Sequence, residues 1–209
     1  MACEFIFWDN DGVLVDTEGL YYQASREALA QLGFDLTPEQ FTAISLASGR
    51  SVFELATNDQ ALMEKLRQWR NARYGKLLEG RDHLLPGVRE TLAQLATRTS
   101  MAVVTSSRRD HFEIIHANSR LLAFFDFVLC REDYREAKPD PEPYLLALQH
   151  SGRDPRNCLV IEDSARGLEA AKAAGLTCWV IPSTLTSGQD FSTADRILNR
   201  IEDLVGLLA

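Results

Sequence analysis

FWDNDGVLVDTE, residues 7–18, closes an apolar run on two aspartates set two apart and then turns on a glycine. The run Phe5-Ile6-Phe7-Trp8 is short, apolar and aromatic, as strands buried on both faces are. Residues i and i+2 of a strand face the same side, so Asp9 and Asp11 project together from its carboxyl end. Gly12 lets the chain turn sharply there. Two adjacent carboxylates repel each other and lose solvation, so something elsewhere in the chain has to compensate them. A capping aspartate followed by a turn aspartate is the plain alternative for this motif taken alone.

Downstream of Leu85-Pro86-Gly87 the pattern alternates. Apolar runs at 101–104, 127–130, 158–161 and 177–181 are spaced by helical patterns carrying Val88, Leu92 and Leu95, then Phe112 and Ile115, then residues 143–150 and 167–174. That order predicts a parallel sheet with crossover helices. Between the first strand and this region, residues 17–79 read as mostly helical. Leu20, Ala24, Ala28 and Leu32 recur every fourth residue before Gly33, Thr37-Pro38-Glu39 restarts a helix, and 59–78 reads as another. The expected architecture is α/β: a Rossmann-like parallel-sheet core from residues 1–15 and 85–209, with residues 16–84 inserted as an α-helical cap domain.

Of the 209 residues, 45% are hydrophobic and 25% charged, and the net charge is −8. This acidic balance argues against a broad nucleic-acid surface or an anionic-membrane surface, while leaving room for a small anionic substrate met by a few local cations. Cys3, Cys130, Cys158 and Cys178 are scattered, with no paired spacing and no histidine at metal-ligand distance in sequence, which reads as reduced and structural. No apolar run approaches membrane-spanning length and no export signal is evident, so a cytoplasmic protein is expected.

Three further segments fall at or just after predicted strand ends. Thr105-Ser106-Ser107 presents hydroxyls near a helix start, a good anion site, although hydroxyl caps are commoner than phosphate sites. Lys138 lies in a stretch, Ala137-Lys138-Pro139-Asp140-Pro141, that two prolines make rigid; alone, it is a solvated loop lysine. Glu162-Asp163 ends a strand before Gly167 and an alanine-rich helix. Carboxylates gathered at one sheet edge need a cation, and hard oxygen ligands suit Mg²⁺. Mg²⁺ and Lys138 would offset the charge of Asp9 and Asp11.

In order and in placement, these four segments resemble the four motifs of the haloacid dehalogenase superfamily. The helical insertion resembles the cap of its β-phosphoglucomutase-like branch. The resemblance implies that Asp9 is a nucleophile forming an aspartyl-phosphate and that Asp11 is the general acid and then base. It further implies that Thr105 and Lys138 hold the transferring phosphoryl group. Mg²⁺ would be bound by Asp9, the backbone of Asp11, Asp163 and, directly or through water, Glu162. Ser106, Thr17 and Arg50 are candidate substrate contacts, the last two from the cap side. Dehalogenases lack the second aspartate, so Asp11 favours phosphoryl chemistry. Mutase relatives carry a histidine where this chain has Tyr21, although Ser48-Gly49-Arg50-Ser51 resembles the mutase loop that holds a second phosphate. Lys65 and Lys76 read as solvated helix lysines rather than Schiff-base groups. His83, His111, His116 and His150 match no catalytic position, Arg108 and Arg109 read as exposed helix-start residues, and Trp8 as core.

The leading expectation is a Mg²⁺-dependent phosphatase acting on a small phosphorylated metabolite, a sugar phosphate by resemblance. The enzymatic alternative is a sugar phosphomutase. A non-catalytic binding protein on the same scaffold would be marked by loss of Asp9, Asp11, Lys138 or Asp163, and all four are present. The sequence carries no transferable code for the particular substrate or for oligomeric state.

Overall fold

The computed structural model describes residues 3–208. Six parallel strands form one sheet: β1 (Phe5–Trp8), β2 (Ser100–Val104), β3 (Phe127–Leu129), β4 (Cys158–Glu162), β5 (Thr177–Val180) and β6 (Arg196–Ile197). Their spatial order is β3-β2-β1-β4-β5-β6. The chain winds outward from β1 in one direction and then, from β4, in the other. The carboxyl ends of β1, β2 and β4 therefore meet at the topological switch point, where open sheets of this kind hold ligands. Register places Trp8 between Val103 and Ile161, so Asp9 emerges level with the segments that follow both neighbours.

Strand alternation divides the core into two layers. Ile6, Trp8, Val103 and Ile161 face one side, packed with Val88, Leu92 and Leu95 of α4 (Val88–Leu95) and Phe112 and Ile115 of α5 (Arg109–His116). Phe5, Phe7, Ala102, Val104 and Val160 face the other, against α6 (Glu142–Ser151) and α7 (Ala165–Ala173). Cys130, Cys158 and Cys178 are buried, and all four cysteines are free.

Between β1 and α4 the chain is helical: α1 (Glu18–Ala30), α2 (Pro38–Phe41), a π-helical stretch over Thr42–Ala47, a 3₁₀ turn at Val52–Leu55, and α3 (Gln60–Leu78). Thr37 and Gln40 close a reciprocal capping box on α2, and Asp59 caps α3. This insertion buries its own cluster, with Leu29, Leu36, Phe41, Phe53 and Met63 at its centre. At its neck the two connecting segments pair. Val15 bridges Leu84, Asp16 N–H donates to the His83 carbonyl (2.9 Å), and Leu85 N–H donates to that of Leu14 (3.0 Å).

Several details differ from the sequence reading. Leu32 lies beyond the end of α1 and is 39% exposed, while Leu29 takes the buried position. A strict four-residue repeat outruns a helix of 3.6 residues per turn, so its stripe drifts off the packed face. β4 runs one residue further, to Glu162. The short β6 and α8 (Asp203–Leu207) also lacked a readable pattern. No helix among the described residues is long and apolar enough to cross a membrane.

Gly167 shows how tightly the sheet edge is built. A Cβ there would lie 2.0 Å from the Glu162 carboxyl carbon. Gly167→Ala is expected to destabilise the protein by about 1–3 kcal/mol, the range for forcing extra volume into a packed site. Urea unfolding checks this.

Candidate active site

Lys138 occupies the centre of the sheet edge and is 3% exposed. Its ammonium has three protons and three acceptors: Asp9 Oδ1 at 2.7 Å, Glu162 Oε1 at 2.6 Å and the Val104 carbonyl at 2.9 Å. The lysine thus ties the ends of β1, β2 and β4 together. Tyr144 of α6 packs its ring 4.9 Å from the ammonium and donates its hydroxyl to Glu162 Oε1 at 2.6 Å. Ser164 donates to the other Glu162 oxygen at 3.2 Å. Glu162 is 0% exposed, so its carboxylate is committed to holding the lysine and the first turn of α7.

The charge does not balance. Asp9, Glu162 and Asp163 each place one carboxylate oxygen within 4.8 Å of the others. Burial, with added repulsion from Glu162 and Asp11, pushes Asp9 up to about 7 although Lys138 pulls the other way. Burial followed by repulsion from Glu18 and Asp9 raises Asp163 well above the carboxylate range. Glu18 is pushed up to about 7, chiefly by burial and then by Asp11. Burial alone would lower the Lys138 ammonium, but Asp9 and Glu162 outweigh it and raise it. One lysine among these carboxylates leaves a deficit of positive charge in a cluster of oxygen donors. A hard divalent cation fits that chemistry. The Gly12 backbone, at φ 85°, sits directly on Asp163: a Cβ there would be 2.2 Å from its Oδ2.

Asp11, two residues from Asp9, has different company. Its Oδ1 accepts from the Thr17 hydroxyl, and its Oδ2 from the Ser107 hydroxyl and from Asn10 Nδ2 at 3.3 Å. This corrects the expectation for Thr17. At the N-cap of α1 it is 0% exposed, its hydroxyl makes no cap bond, and it is turned onto Asp11 rather than toward a substrate on the cap side. The hydroxyl beside Thr105 that reaches Asp11 is that of Ser107.

A cavity of about 660 Å³ opens between sheet edge and insertion. Asp9, Asp11, Thr105, Ser106, Lys138 and Asp163 line it from the core, and Tyr21, Arg50 and Arg70 from the insertion. Glu162 lies behind this wall. Arg50 pairs with Glu54 at 2.5 Å. Its neighbour Gly49 packs against Arg166 of α7, whose Nη1 would be 3.1 Å from a Cβ at that position. Glu18, Arg70, Arg108, His111 and Arg166 also line the cavity. Of these, only Arg108 and His111 were weighed in the sequence, and both were set aside as surface or structural residues. Helix-borne charges such as Arg70 look like any solvated face until the cavity is seen.

Comparison with known proteins places this sheet edge and cavity in a family. The model of the haloacid dehalogenase-like hydrolases matches residues 6–181. Protein CbbY of Rhodobacter capsulatus is 31% identical over 98% of this chain and 95% of its own length. A phosphorylated carbohydrates phosphatase of Thermotoga maritima is 32% identical over 83% of this chain and 82% of its own. A variant of CbbY from Rhodobacter sphaeroides, crystallised with xylulose-(1,5)bisphosphate, superposes with a TM-score of 0.84 at 26% identity, covering 97% of this chain and 96% of that one. The chain belongs to the haloacid dehalogenase-like hydrolase family, on its phosphatase branch, as a phosphoric monoester hydrolase.

Tyr144→Phe removes one of the donors to a fully buried carboxylate while leaving its shape. It is expected to cost about 1–3 kcal/mol of stability, read from the shift of the urea midpoint at unchanged slope.

Proposed function

We propose that the protein is a Mg²⁺-dependent sugar-phosphate phosphatase working through an aspartyl-phosphate at Asp9. The observation that carries this is the division of labour between two aspartates on one turn. Asp9 is bound by an ammonium in a carboxylate cluster, whereas Asp11 is held by two hydroxyls and an amide. Pairs of acids given different surroundings take different chemical roles.

An Asp9 oxygen attacks phosphorus and the bond from phosphorus to the sugar oxygen breaks, with Asp11 supplying the proton the leaving oxygen needs. Water then attacks the phosphorus of the aspartyl-phosphate, Asp11 takes its proton, and Asp9 and inorganic phosphate are released. Lys138 and the Thr105 hydroxyl hold phosphoryl oxygens through both steps. Asp9, Asp163 and the main chain of Asp11 would hold Mg²⁺, with Glu162 behind them serving Lys138. When bound, the ion offsets the charge of carboxylate and phosphate as they approach. Residues 16–84 act as the cap that excludes water while the phosphoryl group transfers.

The far end of the cavity suits a second anionic group. Arg70 stacks on Tyr21 and Phe53, at 4.5 and 5.5 Å from the ring centroids, and its hydrogen bonds go only to Asn71 Oδ1. Among the described residues it forms no ion pair, and burial, then the charges of Arg67 and Arg108, pull its guanidinium down. A guanidinium so placed is a ready partner for a phosphate, and a relative is known with a sugar bisphosphate. The mutase alternative is weakened at Tyr21, which packs edge-on against Tyr74 and under Arg70 where the mutase relatives carry a histidine.

Screening phosphorylated sugars with Mg²⁺, following phosphate release and isomer formation together, tests the activity; isomer formation with negligible free phosphate would promote the mutase. Asp9→Asn is expected to lower kcat by ~10³-fold or more while the fold survives. Chelator should abolish turnover and Mg²⁺ restore it, whereas Ca²⁺, with its looser and higher coordination, should inhibit. Arg70→Gln should raise KM for a sugar bisphosphate by about tenfold or more, with a smaller effect on a monophosphate.

A further inference from the structure

The residue between the two aspartates, Asn10, is 0% exposed and its side chain is hydrogen-bonded at both ends. Its carbonyl already accepts the N–H groups of Val13, Leu14 and Val15 and shapes the turn. Its side-chain amide bridges two buried partners: Nδ2 lies 3.3 Å from Asp11 Oδ2, and Oδ1 lies 2.8 Å from Nε2 of His116. His116 ends α5, is 3% exposed, and has its Nδ1 3.0 Å from the Ser119 hydroxyl. A continuous chain thus runs from Ser119 through His116 and Asn10 to Asp11, behind the cavity wall.

The direction of the chain follows from what each group can give. Both Asp11 oxygens act as acceptors toward these neighbours, so Asn10 turns its NH₂ to Asp11. Its oxygen then faces His116, which must carry its proton on Nε2. Nδ1 is left as an acceptor 3.0 Å from the Ser119 hydroxyl, whose single proton is shared between it and the His116 carbonyl. The reversed amide would set an oxygen against the carboxylate and keep only its contact to His116, with the ring proton then on Nδ1. Burial supports the same state, since it pushes the imidazole down to about 4 and keeps it neutral.

Thr17 and Ser107 hydroxyls can rotate, whereas an amide pinned from behind by a histidine cannot. We propose that Asn10 and His116 are positioning residues for proton transfer, fixing the Asp11 carboxylate in the orientation that delivers a proton to the leaving oxygen. This rests on the reading of Asp11 as the general acid. Neither residue touches substrate: they act through Asp11.

The test exploits the leaving group. Expulsion of a sugar alkoxide needs the proton from Asp11, whereas expulsion of p-nitrophenolate hardly does. Because kcat/KM reports the steps up to phosphoryl transfer, the ratio of kcat/KM for glucose 6-phosphate to that for p-nitrophenyl phosphate isolates acid catalysis from folding and from nucleophilic attack. Asn10→Leu and His116→Leu are expected to lower this ratio by about tenfold or more. His116→Gln, which can still donate to Asn10, should restore most of it. Equal losses on both substrates, or no loss, would overturn the proposal. If the leucine variants do not fold, nitrogen NMR of wild-type His116 decides: the Nε2–H tautomer is expected, and the Nδ1–H tautomer would overturn it. Failure of the underlying reading is distinguishable, because Asp11→Ala would then leave the ratio at its wild-type value.

Discussion

The Lys138 ammonium is the contact on which the rest of the structure depends. Its three hydrogen bonds join Asp9 after β1, the Val104 carbonyl of β2 and Glu162 at the end of β4. No other group among the described residues links all three strands at the switch point. Burying this ion pair would be costly without those partners. Here the lysine is satisfied in full and the carboxylates are not. The site is therefore held together and yet short of positive charge, which is the condition a site for a cation and a phosphoryl group has to meet.

The turn after β1 converts that constraint into geometry. Three N–H groups converge on the Asn10 carbonyl, Gly12 lies against Asp163, and Val15 returns to pair with Leu84 at the neck of the insertion. The same seven residues therefore place Asp9 on the lysine, place Asp11 among hydroxyls, and start the helical insertion over the cavity.

Sequence patterns exposed the parts of this design that are local or periodic. Apolar runs bounded by turns gave the five longer strands and their crossover helices, and strand alternation placed Asp9 and Asp11 side by side. The acidic pair Glu162-Asp163 stood out because such residues seldom end buried strands, and Lys138 because two prolines stiffen the stretch that follows it. What escaped was set by contacts between distant segments. Tyr144 is a helix residue like any other until its hydroxyl meets Glu162, 18 positions away. His116 reaches Asn10 across 106 positions, and Thr17 reads as a substrate contact until its hydroxyl is seen on Asp11. Arg70 became distinctive only once its aromatic neighbours were placed. The two-residue β6 was too short for any periodic signal.

The central claim is that Asp9 attacks phosphorus, and it is tested most directly where the second step is disabled. In Asp11→Asn, p-nitrophenyl phosphate needs no proton to leave, while hydrolysis of the aspartyl-phosphate loses its base. Rapid mixing of this variant with p-nitrophenyl phosphate and Mg²⁺, followed by acid quenching and peptide mass spectrometry, reads both events. The account predicts a burst of about one p-nitrophenol per active site, with a phosphate mass on the peptide containing Asp9. A phosphate carried by another residue, or steady turnover with neither burst nor modified peptide, would contradict it.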